Sequence, residues 1–211
     1  MNVQTIGPHR LVAGDIHYGS IDLVMGGENA DLIYSDPPWG PGLLQMFATM
    51  NVRGSAPVVG WSTFLATFCA ACVEHRTPTA PVFVEMGLRW VDELDAHMAQ
   101  RGLDFRRRWT ATYGSKRLPF ALSLYGGTER DADAVVLPDP PHGEAVTRAV
   151  LGTLVCPGTV VLDPCTGLGM TARITHKLGG HFRGTELNPK RMEVTAKWLR
   201  SKASPTAERK P

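Results

Sequence analysis

The chain reads as an α/β domain built on an open, mostly parallel sheet. Three observations carry that reading. Short apolar, β-rich runs alternate with helix-period stretches along most of the length, which is the pattern of βαβ units. Two of those runs end in turns that combine acid with proline or glycine: Asp36-Pro37-Pro38-Trp39, and Asp163-Pro164-Cys165-Thr166-Gly167-Leu168-Gly169. Finally, two β-rich runs after Arg101 are separated by only Gly114-Ser115-Lys116-Arg117-Leu118-Pro119. With no helix between them, they pair as an antiparallel hairpin.

In order, strands are expected at His9–Ala13, Asp31–Ser35, Pro81–Glu85, Phe105–Tyr113, Phe120–Tyr125, Thr159–Asp163 and His181–Glu186, a seven-stranded sheet. Apolar residues at helical spacing predict helices over Ser62–Glu74, Val91–Arg101, Gly143–Val155, Thr171–Leu178 and Pro189–Lys202. Gly40–Pro57 and Gly126–Pro141 read as long loops, and long loops in a compact domain are functional or disordered. The expected organisation is a single domain over residues 1–200 and a polar tail over residues 201–211 that frays.

Composition excludes more than it assigns. Over 211 residues the formal net charge is only +2, so no strong global field draws in nucleic acid. Charge is nevertheless uneven, with Arg106, Arg107, Arg108, Lys116 and Arg117 crowded into one stretch. No run approaches membrane-spanning length, and no charged-then-apolar leader opens the chain. A cytoplasmic protein with reduced thiols is expected. Cys69 and Cys72 have CxxC spacing inside an apolar helical pattern, with no second pair; they are read as core thiols, and no metal is expected. His75, His97 and His176 read as solvated or capping residues. Asp139-Pro140-Pro141-His142 repeats the Asp-Pro-Pro triplet without an aromatic fourth residue, and reads as a helix-entry turn.

Val160-Val161-Leu162-Asp163 followed by the glycine turn and a helical pattern is strand, turn, helix. Glycines there allow a tight turn and close approach of backbone N–H groups to a ligand. One helix later, Gly184-Thr185-Glu186-Leu187-Asn188 puts an acid about twenty positions beyond Gly167, where a Rossmann-like site grips ribose hydroxyls. A dinucleotide needs a third glycine for its pyrophosphate, and after Gly169 the chain reads Met170-Thr171-Ala172. An NAD-dependent oxidoreductase is therefore disfavoured. The other turn serves different chemistry. A strand that stops at Asp36-Pro37-Pro38-Trp39 offers an acceptor, a bent backbone and an aromatic face at one point. That set can hold a planar amino group.

Together these segments resemble the S-adenosylmethionine-dependent DNA amino-methyltransferases, the adenine-N6 and cytosine-N4 family. In that family Asp/Asn-Pro-Pro-aromatic is the catalytic motif. The resemblance thus implies that Asp36 and the Pro37 carbonyl accept the two N–H bonds of the target amino group. It also implies that Pro38 shapes the turn, by a cis or kinked geometry, and that Trp39 stacks on the base. Cytosine-N4 enzymes more often begin the motif with Ser, so Asp36 points to adenine N6. The implied cofactor is S-adenosylmethionine, held by Asp163, Pro164, Thr166, Gly167, Gly169, Glu186 and Asn188, with Asp15 of Gly14-Asp15 on its adenine. The fold implied is the Rossmann-like methyltransferase sheet ending in an antiparallel hairpin. With the catalytic motif first and the glycine loop last, the order matches the circularly permuted β-class. This chain departs from the family loop in having Cys165 for Phe and Leu168 for Ser.

Beside a base-modifying motif, Arg106, Arg107, Arg108, Lys116 and Arg117 are expected to contact phosphate. DNA is favoured over RNA by the motif order. Cytosine-N4, RNA and modified-base methylation remain the alternatives, as does a cofactor-binding partner subunit without activity of its own. No length is left for a large target-recognition domain, so weak sequence preference is expected; a homodimer or a specificity-conferring partner is left open.

Overall fold

The β-rich runs pair into one sheet, described here in a computed structural model for residues 1–51 and 59–203. Its strands are β1 (Val3–Ile6), β2 (His9–Ala13), β3 (Leu32–Ser35), β4 (Pro81–Gly87), β5 (Phe105–Tyr113), β6 (Leu118–Gly126), β7 (Val160–Asp163) and β8 (His181–Glu186). The helices are α1 (Ser20–Met25), α2 (Pro41–Asn51), α3 (Trp61–Glu74), α4 (Val91–Ala99), α5 (Glu129–Ala134), α6 (Glu144–Leu154), α7 (Met170–Lys177) and α8 (Pro189–Ala203). The strand order is β1-β2-β8-β7-β3-β4-β6-β5. The five strands from β2 to β4 run parallel, whereas β6, β5 and β1 pair antiparallel.

All seven expected strands are present, but the sheet has eight. The extra strand, Val-Gln-Thr-Ile of β1, joins β2 through Gly7 at φ +54° and lies at the sheet margin. It is too short and mixed to show a period. The expected loop Gly40–Pro57 is corrected over Pro41–Asn51, which is helix. Pro41 takes the first helical position, where its missing N–H costs nothing. The rest of that stretch, 52–57, lies outside the described residues, as do residues 204–211 of the tail. Gly126–Pro141 contains the short helix α5, started by a reciprocal capping box between Thr128 and Asp131.

Helices cover both faces, as a parallel sheet requires. One apolar cluster joins α1, α3 and α4 to the sheet through Val24, Leu65, Phe68, Leu94 and Met98. Cys69 and Cys72 lie in it, and burial pushes the Cys69 thiol up to about 12. A second cluster packs α6 against the opposite face, and a third seats α8 on β1, β2 and β8. Among the described residues no helix is long and apolar enough to cross a membrane. The crossover from β3 runs through α3 to β4 on one side, and that from β7 through α7 to β8 on the other. The direction of winding therefore reverses between β3 and β7. Such a switch point opens a crevice beyond the carboxyl ends of the strands.

His176 is not the solvated residue expected. Its Nδ1 lies 3.0 Å from Nε2 of buried His9, whose Nδ1 accepts from the Phe182 amide at 3.1 Å. His9 therefore carries its proton on Nε2 and has no acceptor to spare. Burial, then the neighbouring His176, Arg183 and His181, lower its pKa from 6.5 to about 4. The folded chain thus refuses a proton that the unfolded chain takes below about 6.5. Stability contributed here is complete above that pH and is lost as pH falls through the window down to about 4. At 1.36 kcal/mol per unit, the loss is on the order of 1–3 kcal/mol. Thermal melts of wild type and His9→Gln between neutral and mildly acidic pH should show the wild type falling more steeply; parallel curves would remove His9 as the cause.

Candidate active site

Four acidic residues stand in a row along the carboxyl edge of the parallel strands. Asp15 follows β2, Glu186 ends β8, Asp163 ends β7 and Asp36 follows β3. The row is tied together by backbone and side chains. The Gly14 amide donates to the Glu186 carbonyl at 3.0 Å. Ser35 Oγ donates to Asp163 Oδ1 at 2.8 Å, which joins the tips of β3 and β7 at the switch point.

Asp163 is 2 % exposed, and its Oδ1 also accepts from the Cys165 amide at 3.0 Å. Burial raises its carboxyl to about 6, against the pull of those donors. It shapes the glycine loop from beneath. Glu186 braces the same loop from the side: its Oε2 accepts from the Gly167 amide and its Oε1 from the Asn188 amide, both at 2.8 Å. Burial raises its pKa, while those two amides and Arg191 hold it down. Asn188 in turn accepts from the Lys190 amide at 2.9 Å and so starts α8. Pro164 and Thr166 are fixed to β8, since Thr185 Oγ1 donates to the Pro164 carbonyl and the Thr166 amide to the Thr185 carbonyl.

The two loop glycines do different jobs. Both have positive φ, +57° at Gly167 and +80° at Gly169. A Cβ at Gly169 would collide with Thr195 of α8, so that glycine lets two helices approach. A Cβ at Gly167 would meet only the Cys165 carbonyl, at 4.0 Å. The loop there faces open space, with room for a ligand against its backbone. At the end of the row, Asp15 Oδ1 accepts from the His17 amide at 2.9 Å and faces His17 Nδ1 at 2.7 Å.

On the other side of the switch point, Trp39 Nε1 donates to Asp36 Oδ1 at 2.7 Å. The indole stacks on Phe120 (5.2 Å between centroids) and meets the edge of Tyr113 at 6.1 Å. Protein surrounding Asp36, with Asp163 behind it, raises its carboxyl to about 7, and the Trp39 bond opposes the rise. Asp36 retains surface open to the cleft, and water there works against the rise, so the upward direction is what carries forward. Of the cis or kinked geometry expected, the peptide bonds before Pro37 and Pro38 are trans; among the described residues the cis bond precedes Pro140. The bend at Asp36–Trp39 needs no isomerisation. Asp139–His142 leads into α6 and is held by Thr112, which matches a helix-entry turn.

One group escaped sequence reading. Glu85, 3 % exposed, accepts from Tyr34 at 2.5 Å and from Thr147 at 3.4 Å. The β3–β4 register pairs Ser35 with Val84, so the next rung sets Glu85 beside Asp36. Burial, then the Asp36 charge, pushes its carboxyl well up. The signal was an acid inside the apolar run Val82-Phe83-Val84-Glu85-Met86, since a buried acid demands partners.

The five basic candidates do not come together. Arg106, Arg107 and Arg108 begin β5, far along the strand from its end at Tyr113. A bulge between Phe105 and Arg107 shifts the alternation of side chains. Arg108 grips both oxygens of Asp95 on α4 at 2.7 and 2.8 Å. Arg107 lies over the Trp109 ring and 3.8 Å from Asp133. A surface recess of about 340 Å³ opens at that edge, lined by Arg107, Trp109, Asp133 and Val136 among others, away from the acidic row. Lys116 and Arg117 instead occupy the hairpin tip. Because β5 runs in the direction of β4, that tip lies at the same carboxyl edge as Asp36.

No family model and no curated protein matches this chain. Solved structures do. M1.HpyAVI in complex with SAM superposes with a TM-score of 0.62 at 16 % identity, covering 90 % of this chain and 98 % of that one. TTHA0409, a putative DNA modification methylase from Thermus thermophilus complexed with S-adenosyl-L-methionine, gives 0.64 at 15 %, covering 94 % and 95 %. The PvuII DNA methyltransferase, cytosine-N4-specific, gives 0.67 at 11 %, covering 94 % and 90 %. At these identities the likeness is one of fold, and it extends over nearly the whole of each chain: this chain has the α/β fold of those proteins, the PvuII DNA methyltransferase among them.

Proposed function

We propose that this chain is an S-adenosylmethionine-dependent methyltransferase acting on the exocyclic amino group of a nucleic-acid base, with adenine N6 in DNA as its preferred target. The observation that carries the reading is the juxtaposition at the switch point. Asp36 with Trp39 stands on one side, and Asp163 with the Glu186-braced glycine loop on the other. Of the solved structures of the same fold, one is described as a DNA methyltransferase and another as a putative DNA modification methylase, and two hold the methyl donor. The motif order supports the permuted β-class arrangement.

The residues fit the donor. S-adenosylmethionine, when bound, supplies an electrophilic methyl on a positively charged sulfonium. A row of crowded acids favours a cation. Open space over Gly167 admits a ligand against backbone, and the reading gives Glu186 and Asn188 to the ribose and Asp15 to the adenine. On the acceptor side, an amino nitrogen delocalised into its ring is a poor nucleophile. Asp36 and the Pro37 carbonyl accept its N–H bonds and draw it toward sp³, while Trp39 offers a face for the base. Positioning and electrostatics supply the rate. A base within a duplex cannot reach this edge, so it leaves the stack or arrives single-stranded.

Cytosine N4 is the second reading, since a neighbour is specific for it; Asp36 in place of the Ser more usual there favours adenine. The decisive experiment incubates the purified chain alone with DNA or RNA and labelled donor, then identifies methylated nucleosides by mass spectrometry. N6-methyladenine in DNA is expected. Labelled cytosine or RNA would reassign the substrate, and no incorporation would favour a cofactor-binding partner subunit.

A further inference from the structure

The hairpin tip holds an unfavourable choice of residue. Gly114-Ser115-Lys116-Arg117 closes β5 onto β6, with the Arg117 amide donating to the Gly114 carbonyl at 3.0 Å. The last position of this turn is left-handed: Arg117 has φ +50°, and it is the non-glycine residue with positive φ among the described residues. Glycine or asparagine suits such a position, because a Cβ crowds the following carbonyl. Every other left-handed turn in the described fold uses glycine. The arginine brings no local compensation, for no ion pair reaches its guanidinium among the described residues, whereas Arg108 on the same hairpin is locked to Asp95. Strain kept without structural return is a mark of function.

The location indicates what that function is. Tyr113, the strand residue just before the tip, is 50 % exposed and touches Trp39 edge-on at 6.1 Å. Arg117, beside exposed Lys116, therefore sits at the rim of the Asp36–Trp39 cleft, and the cleft itself is acidic. A cation there does not serve the acidic row; it suits an anion that lies outside while a neutral ring enters. A polynucleotide has that shape, with a base inside and phosphates at the rim.

Resting on the function proposed above, we propose that Arg117 is a nucleic-acid-binding residue, held in a glycine-like conformation because its guanidinium meets the phosphate beside the target nucleotide. The fork of an arginine pairs with two phosphate oxygens at once.

The test uses the whole chain with a fluorescein-labelled single-stranded oligodeoxynucleotide, titrated across salt concentrations, alongside thermal melts. Arg117→Gly should relieve the strain and raise Tm by about 2–4 °C. The same change should weaken binding roughly tenfold, the worth of one charge-assisted contact, and flatten the salt slope by about one unit. Arg117→Ala keeps the backbone strain and loses the charge, so it should match the binding loss without the gain in Tm; Arg117→Lys should keep the salt slope. A rise in Tm with unchanged binding would show the arginine to be incidental, and a fall in Tm would show it to be structural; either overturns the proposal. Wild type that methylates and binds while the Gly variant does both equally overturns this inference alone. Wild type that neither binds nor methylates removes the proposed function with it.

Discussion

Replacing Asp36 with Ala should abolish methyl transfer while leaving affinity for the methyl donor within a few fold. In the proposed site the carboxylate accepts from the target amino group, and it is held by Trp39 rather than by the glycine loop. Deleting one preorganised polar group of this kind costs about 10²–10³ in turnover. In the proposed site the donor is held by Asp163, Gly167 and Glu186, across the switch point. Single-turnover kinetics and calorimetry on the same protein separate the two effects. A variant with near-normal turnover would end the catalytic assignment, whereas equal loss of donor binding would place Asp36 in the wrong half of the site.

The same residue sets a pH dependence. The protein around Asp36 and the neighbouring Asp163 raise its carboxyl above the usual carboxylate range. If the ionised form accepts the amino N–H, the rate falls as pH drops through that raised range. Asp36→Asn, which still accepts one N–H but does not titrate, should flatten this limb. Trp39→Phe keeps an aromatic face but removes the N–H that favours the ionised carboxylate. Its acid limb should move to higher pH. An unmoved limb in both variants would exclude Asp36 as the titrating group.

The parts of the fold legible in the sequence were those with a strong local signal. Val160–Asp163 and its glycine turn declared strand, turn and helix because φ > 0 is required at Gly167 and Gly169. Leu32–Ser35 was readable because it is apolar at every position but its last, as a central parallel strand must be. What failed was local pattern without such a signal. Val3–Ile6 gains its strand from pairing with β2, a tertiary effect. Pro41–Asn51 carries Gly and Pro, which read as loop, although Pro41 starts the helix. The basic stretch divides in space for another reason. Nearness in sequence put five cations together, but a nine-residue strand carries its two ends far apart. Only Lys116 and Arg117 arrive at the edge that Asp36 occupies. Glu186 was found by spacing, while its brace on Gly167 depends on a turn that spacing does not describe.

That brace gives Glu186→Ala a double cost. In the proposed site the side chain accepts ribose hydroxyls, and it already accepts from the amides of Gly167 and Asn188. Removing it deletes a charged acceptor and frees the glycine loop that the proposed site sets against the donor. Loss of such a partner is worth about 1–3 kcal/mol, or roughly 5- to 150-fold in the Kd for S-adenosylmethionine. Glu186→Gln tests the division of roles. Its amide oxygen can accept from one backbone N–H, but its NH₂ faces the other, so the loop loses part of its brace while hydroxyl contacts can persist. The Ala variant should therefore bind more weakly than the Gln variant, and both should melt below wild type without ligand. Charge adds a pH signature. Asp163, raised from 3.8 to about 6, keeps its proton in the folded chain where the unfolded chain has lost it. Its ionisation thus costs stability as pH rises through that window, and a bound cation offsets the cost. Donor affinity should consequently fall as pH drops through about 6, and this fall should survive in Glu186→Ala because Asp163 remains. Calorimetry across that range decides the matter: unchanged affinity in Glu186→Ala would leave Glu186 as a loop brace alone, and pH-independent affinity in wild type would show that the acidic row does not attract the donor's charge.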